Sequence, residues 1–114
     1  TAKLLNVWEN GFAQRLTDGM IRARFRQGMD KPSLITPNKI YSYKIDLWNT
    51  CQTFKKNHQI RIEVSSSAFP KYDRNPNTGE ELGKTTHIQK ADQKIYHSTN
   101  YPSHIILPII PKND

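Results

Sequence analysis

The residues with the most chemistry to offer are three consecutive serines, Ser65-Ser66-Ser67, four histidines and a loop rich in Asp and Asn. A serine nucleophile on a strand-to-helix elbow needs small residues on both sides, because the strained turn crowds its neighbours. No G-x-S-x-G is present, and Phe69-Pro70 falls where the helix after such an elbow should begin. Hydroxyls at a strand end that bond local backbone groups are the better reading of Ser65, Ser66 and Ser67. The loop Asp73-x-Asn75-x-Asn77 opens like a calcium loop, whose oxygens recur at every second residue to converge on one ion. The glycine it requires would fall at Thr78 and the closing glutamate at Lys84, so both are missing. Turn-forming side chains that accept backbone N–H bonds explain the spacing more simply. His58, His87, His97 and His104 occur singly, without the spacing of a zinc motif. Cys51 is the one cysteine, so no internal disulfide can form. The expectation is a chain with no catalytic residues, no cofactor and no metal of its own.

Charge and length narrow the classes further. Seventeen Lys and Arg against ten Asp and Glu give a net charge of +7, scattered without a run of five or six like charges. Scattered charge of this kind makes a solvated basic surface, not a nucleic-acid track, so no nucleic-acid partner is expected. Nucleic-acid binding would also need exposed aromatics between the basic residues. Tyr41 and Tyr43, the candidates, share a strand face with Ile45 and Leu47, which assigns them to a core. No apolar run approaches the ~18 residues of a membrane span, so no membrane partner is expected. A length of 114 residues suits one domain with a single core. The opening Thr1-Ala2-Lys3-Leu4 lacks the apolar centre of a signal peptide and reads like the middle of a strand. It suggests that the whole of residues 1–114 is one piece of a larger domain.

The elements that would position these residues are strands. Apolar and polar residues alternate with period two over Tyr41–Leu47, Ile60–Val64 and Ile21–Phe25. Leu5–Trp8, Lys94–His97 and Ser103–Leu107 read as further strands, the last buried. Turn chemistry separates them at Glu9-Asn10-Gly11, Thr17-Asp18-Gly19, Thr36-Pro37-Asn38 and Asp73–Gly79. Asn10-Gly11 and Asp18-Gly19 suit tight turns needing positive φ. Residues 73–92 are polar and without period, as in a long surface excursion. Helical periodicity never holds over ten residues, so the expected fold is all-β, an antiparallel β-sandwich.

The run Ile60-Arg61-Ile62-Glu63-Val64-Ser65-Ser66-Ser67-Ala68-Phe69-Pro70-Lys71-Tyr72-Asp73-Arg74-Asn75-Pro76-Asn77-Thr78-Gly79 carries a family resemblance. It is similar to the C-terminal domain of the X-Pro dipeptidyl-peptidase and cocaine esterase class of α/β-hydrolases. That class includes α-amino-acid ester hydrolases and cephalosporin acylases. Leu16-Thr17-Asp18-Gly19-Met20-Ile21-Arg22-Ala23-Arg24-Phe25 and Tyr43–Thr50 fit the same pattern, as do Tyr96-His97 and Pro102–Pro108. Where the family usually has Asp, Pro and Asp around the first turn, this chain has Asn6, Glu9 and Asn10.

The resemblance implies a jelly roll of the galactose-binding-domain-like type, of which this chain is the C-terminal part. It implies a non-catalytic role: the domain packs on the α/β catalytic domain and the cap domain of the same parent chain and helps wall the substrate pocket. The family's catalytic Ser, Asp and His map onto nothing here. The segment Ser65, Ser66, Ser67, Phe69, Pro70, Asp73, Arg74 and Asn75 becomes the candidate structural or inter-domain motif. Arg74 can fork onto a carboxylate or onto carbonyls, and Asp73 can cap N–H groups. These contacts either brace their own loop or cross to another domain. Incomplete leading strands would also leave an edge open to pairing with a second copy. An independent jelly-roll module that binds carbohydrate or another ligand, through Trp8 or Trp48, is the alternative.

Overall fold

Ala2-Lys3-Leu4-Leu5-Asn6-Val7 forms the central strand, because its residues supply what both neighbours must cover. In the computed structural model, which describes residues 1–81 and 83–111, this strand is β1 (Ala2–Val7). It lies between β2 (Ala13–Gly19) and β3 (Gln59–Val64), antiparallel to both. The β1–β2 hairpin closes through Trp8 N–H to the Phe12 carbonyl at 2.8 Å and Gly11 N–H to the Trp8 carbonyl at 2.9 Å. Gly11 supplies the positive φ of +86° that this turn needs. Asn10 Oδ1 accepts the Phe12 N–H at 3.0 Å, so Asn10 makes a working turn. A register shift opposite Leu4/Leu5 lets Leu16 bulge out of β2.

The described chain is almost wholly β or irregular, with antiparallel pairing throughout and one 3-10 turn at Ala23–Phe25. A second, two-stranded ladder joins β4 (His97–Ser98) to β5 (Tyr101–Pro102). Among the described residues the buried side chains are Ala2, Leu4, Leu5, Asn6 and Val7, all in β1, and the buried glycine Gly19 ends β2 beside them. The single sizeable core that length allows is therefore small among the described residues, made of β1 and the end of β2 opposite Ala2. Ile62 stands opposite Leu4, with Ile60 opposite Asn6 and Val64 opposite Ala2, yet all three β3 side chains are exposed. The Cα radius of gyration, 17.0 Å, exceeds the ~13 Å of a compact domain this long.

Several expected strands take other forms. Ile21–Phe25 turns into the 3-10 segment, because Arg26 Nη1 donates to both the Ala23 and Ser33 carbonyls, at 2.9 and 2.7 Å, and draws the chain round. Tyr41–Leu47 and Ser103–Leu107 join no ladder, and of Lys94–His97 only His97 does. Asp18-Gly19 is not a turn: it ends β2, opposite Lys3 and Ala2. Tyr41–Leu47 instead passes beside that end of β2. Thr17 Oγ1 donates to the Leu47 carbonyl, and a Cβ on Gly19 would run into the Asp46 carbonyl. Asp46 Oδ1 accepts the Trp48 N–H at 2.7 Å, which holds Trp48 in the left-handed region at φ 63°. Residues 73–92 are irregular as expected; Leu82 within them, and residues 112–114 of the expected domain, lie outside the described residues.

Candidate functional site

β3 delivers the candidate motif, since Ser65 follows directly on Val64. Thr1 N donates to the Ser65 carbonyl at 2.8 Å and Ser65 N–H to the Thr1 carbonyl at 3.0 Å, extending the β1–β3 pairing by one step. Beyond that step the chain turns on its own hydroxyls. Ser65 Oγ donates to the Ser67 carbonyl at 2.9 Å, and Ser67 Oγ accepts the Phe69 N–H at 3.4 Å. None of the hydrogen bonds these hydroxyls make among the described residues reaches a histidine or a carboxylate. Ser65 and Ser67 act as local turn formers, the role their setting suggests. A cis peptide joins Phe69 to Pro70, and Tyr72 N–H closes the bend on the Ala68 carbonyl at 3.2 Å.

The Asp-Asn loop uses its oxygens in the same local way. Asn75 Oδ1 accepts the Asn77 N–H at 3.1 Å, and Asn77 sits at φ 60°, a conformation that Asn tolerates. Asn77 Nδ2 and Gln89 N–H then clasp the two arms of the excursion, to the Gln89 and Pro76 carbonyls, each at 2.9 Å. Among the described residues no group of three His, Cys, Asp or Glu side chains could hold a metal ion. Arg74 lays its guanidinium over the Phe69 ring, 5.2 Å from the centroid. Ser66, Ser67, Arg74, Asn75, Asn77 and Ile88 line an open hollow of about 210 Å³, which gathers one part of the motif on one surface. Asp73 and Arg74 also line a second hollow, which shares Arg74 and Ile88 with the first.

Two contacts escaped the sequence reading. His58 Nδ1 lies 2.9 Å from Asn6 Oδ1, and its ring packs 5.2 Å from that of Trp8, so this histidine braces the buried end of β1. A lone histidine 52 residues from its partner carries no signal for that. The second is the ion pair of Lys71 Nζ with Asp18 Oδ1 at 2.6 Å, which ties the motif loop to β2. Asp18 is only 10% exposed in its side chain, and its Oδ2 is buried without a partner among the described residues.

The pair has a pH signature. The hydrogen bond from Lys71 holds the Asp18 carboxyl below its ordinary 3.8, with the charges of Lys71, Arg15 and Lys3 acting the same way against the opposing effect of burial. The same bond raises Lys71 above 10.5. A depressed carboxyl pKa means that the contribution is complete above 3.8 and is lost as pH falls through the lowered value. On the alkaline side it is complete below 10.5 and is lost as pH rises through the raised lysine value. Asp18→Asn is therefore expected to lower the melting temperature at neutral pH, with the difference closing as pH falls through the lowered carboxyl value. A difference that persisted unchanged into acid would show that the carboxylate charge is not what holds the loop.

Among the described residues the hydrogen bonds join no hydroxyl, histidine and carboxylate into one constellation. Residues 1–106 match the family described as the X-Pro dipeptidyl-peptidase C-terminal non-catalytic domain. The chain belongs to this family. A cocaine esterase of Rhodococcus sp. (strain MB1 Bresler) is 42% identical over 114 residues, a match covering 98% of this chain and 20% of that protein. The chain thus spans about a fifth of the length of the curated relative it matches. Among the described residues no helix is long and apolar enough to cross a membrane.

Proposed function

We propose that this chain is the C-terminal part of a jelly-roll β-sandwich, of the galactose-binding-like type, within a larger serine α/β-hydrolase. In this reading it packs on the catalytic and cap domains of its parent and helps shape the substrate pocket, while the reacting serine lies elsewhere in the parent. The observation that carries the proposal is membership of a non-catalytic domain family together with a fivefold longer esterase relative. The open apolar face of β3 supports it: Ile60, Ile62 and Val64 alternate like core residues but lack a covering layer. A parent chain that supplies the facing strands would bury them at about 25 cal/mol per Å² of apolar surface. The outer edge of β3, which pairs with no strand among the described residues, is the seam for that addition, and in the isolated chain it is open to a second copy.

Ser65, Ser66, Ser67, Phe69, Pro70, Asp73, Arg74 and Asn75 are assigned to the contact with the parent's other domains. The parent's activity is proposed as ester or amide hydrolysis of the dipeptidyl-peptidase, esterase or acylase kind. The test is a chromogenic acyl ester assayed with the chain alone and with its full-length gene product. Hydrolysis in the full-length protein alone, abolished by a serine-directed inhibitor, is expected. A full-length protein inert towards both ester and X-Pro peptide substrates would overturn the proposal.

A further inference from the structure

The second hollow, about 250 Å³ between the 3-10 turn and the irregular excursion, is lined by Arg22, Asp73, Arg74, Pro76, Thr85 and Thr86 among others. The arginines near it divide into two kinds. Arg24 Nη2 donates to the Glu80 carbonyl at 2.8 Å, closing the excursion over the turn. Arg26 is taken up by the Ala23 and Ser33 carbonyls and stacks 4.6 Å from the Tyr41 ring centroid. Arg22 and Arg74, by contrast, donate no side-chain hydrogen bond among the described residues, and both line the hollow. Asp73 lines it too, but it forms no ion pair with either arginine among the described residues.

Arg22 and Arg74 both line the hollow and Asp73 is the one carboxylate among its lining residues, which leaves the site with a net positive charge. The planar forks of arginine suit a carboxylate taken up two bonds at a time. Thr86 adds a hydroxyl to the lining, and Phe69 under Arg74 limits where that guanidinium can swing. We infer that Arg22 and Arg74 together form a carboxylate-binding site whose occupant is an Asp or Glu side chain from the catalytic domain. This rests on the reading of the chain as a docked domain of a larger hydrolase, and it adds Arg22 and the chemistry of the partner group. A hollow of this volume has room for a whole acidic side chain, not only its two oxygens.

The experiment uses the full-length gene product and its Arg22→Gln, Arg74→Gln, double Gln and Arg→Lys variants. Release of the C-terminal region is followed by limited proteolysis, with ester hydrolysis recorded in parallel. Each Gln variant is expected to speed release about tenfold, the worth of a charge-assisted hydrogen bond. The double variant should release faster than either single variant but slower than the product of their fold-changes, because one occupant is shared. Rising NaCl should speed release of the unsubstituted protein and leave the double variant unmoved. Lys replacements, which keep charge but lose the fork, should restore release only in part. Release that is independent of both arginines and of salt overturns the inference while an active, docked enzyme leaves the parent reading intact. Slower release on adding inorganic phosphate to the unsubstituted protein, and not to the double variant, overturns it in favour of a free oxyanion. An inert full-length protein would count against the parent reading itself.

Discussion

Replacing Leu4 by Ala should open the central strand. Leu4 is 2% exposed, in the middle of β1, flanked by Thr17 on β2 and Ile62 on β3. Truncating a buried leucine loses its transfer free energy and leaves a cavity, together about 2–5 kcal/mol. Among the described residues few other buried apolar side chains share that role, namely Ala2, Leu5 and Val7. Neighbouring Asn6, 1% exposed, contributes shape and its contact with His58 but little hydrophobic free energy. Amide exchange in β1 of the full-length gene product should accelerate about thirtyfold or more, the equivalent of 2 kcal/mol. Exchange within a factor of three of the unsubstituted protein would mean that β1 is not where the stability of this sheet resides.

The second large effect is expected from Gly19→Ala, and its cause is different. Gly19 closes β2 where the Asp46 carbonyl approaches so near that an added Cβ meets backbone on the other side. Backbone cannot swing aside as a side chain does, so either the end of β2 or the segment carrying Asp46 must move. Overpacking of this kind costs about 1–3 kcal/mol. The displaced segment would break the Thr17 hydroxyl bond to the Leu47 carbonyl and free the Asp46–Trp48 turn from its support. Trp48, 78% exposed and held at positive φ, reports on it: its fluorescence and its ring mobility should change in Gly19→Ala. A Thr17→Val variant should give a smaller shift of the same kind, since it removes the bond and adds no collision. Unaltered Trp48 fluorescence in Gly19→Ala would contradict the close approach of the two segments.

How much of this was legible in the sequence differs from element to element. Ile60–Val64 was readable as β3 because strict alternation and the serines after it agree, and Leu5–Trp8 was found although β1 begins three residues earlier. Alternation failed as a guide for Tyr41–Leu47, because a ladder needs a partner strand and the pattern of one segment says nothing of what lies beside it. Ile21–Phe25 looked equally strand-like, but the side chain of Arg26 reaches back to two carbonyls and makes a turn of it. Asp18-Gly19 has the composition of a tight turn, yet its glycine is needed for close approach to Asp46, not for positive φ. At the candidate site the local bonds of Ser65 and Ser67 and of Asn75 and Asn77 follow from residue type alone. The Lys71–Asp18 pair, 53 residues apart, and the meeting of Arg22 with Arg74 at one hollow depend on the path of the chain through space. The family resemblance supplied what periodicity could not, namely a non-catalytic role.

The most direct test of that role is to remove residues 1–114 from the full-length gene product and measure its thermal melting and ester hydrolysis. A supporting domain predicts a catalytic remainder that melts at a markedly lower temperature and loses most of its hydrolysis, with the separate chain hydrolysing nothing. A remainder with undiminished melting temperature and activity, or ester hydrolysis by the separate chain, would contradict it.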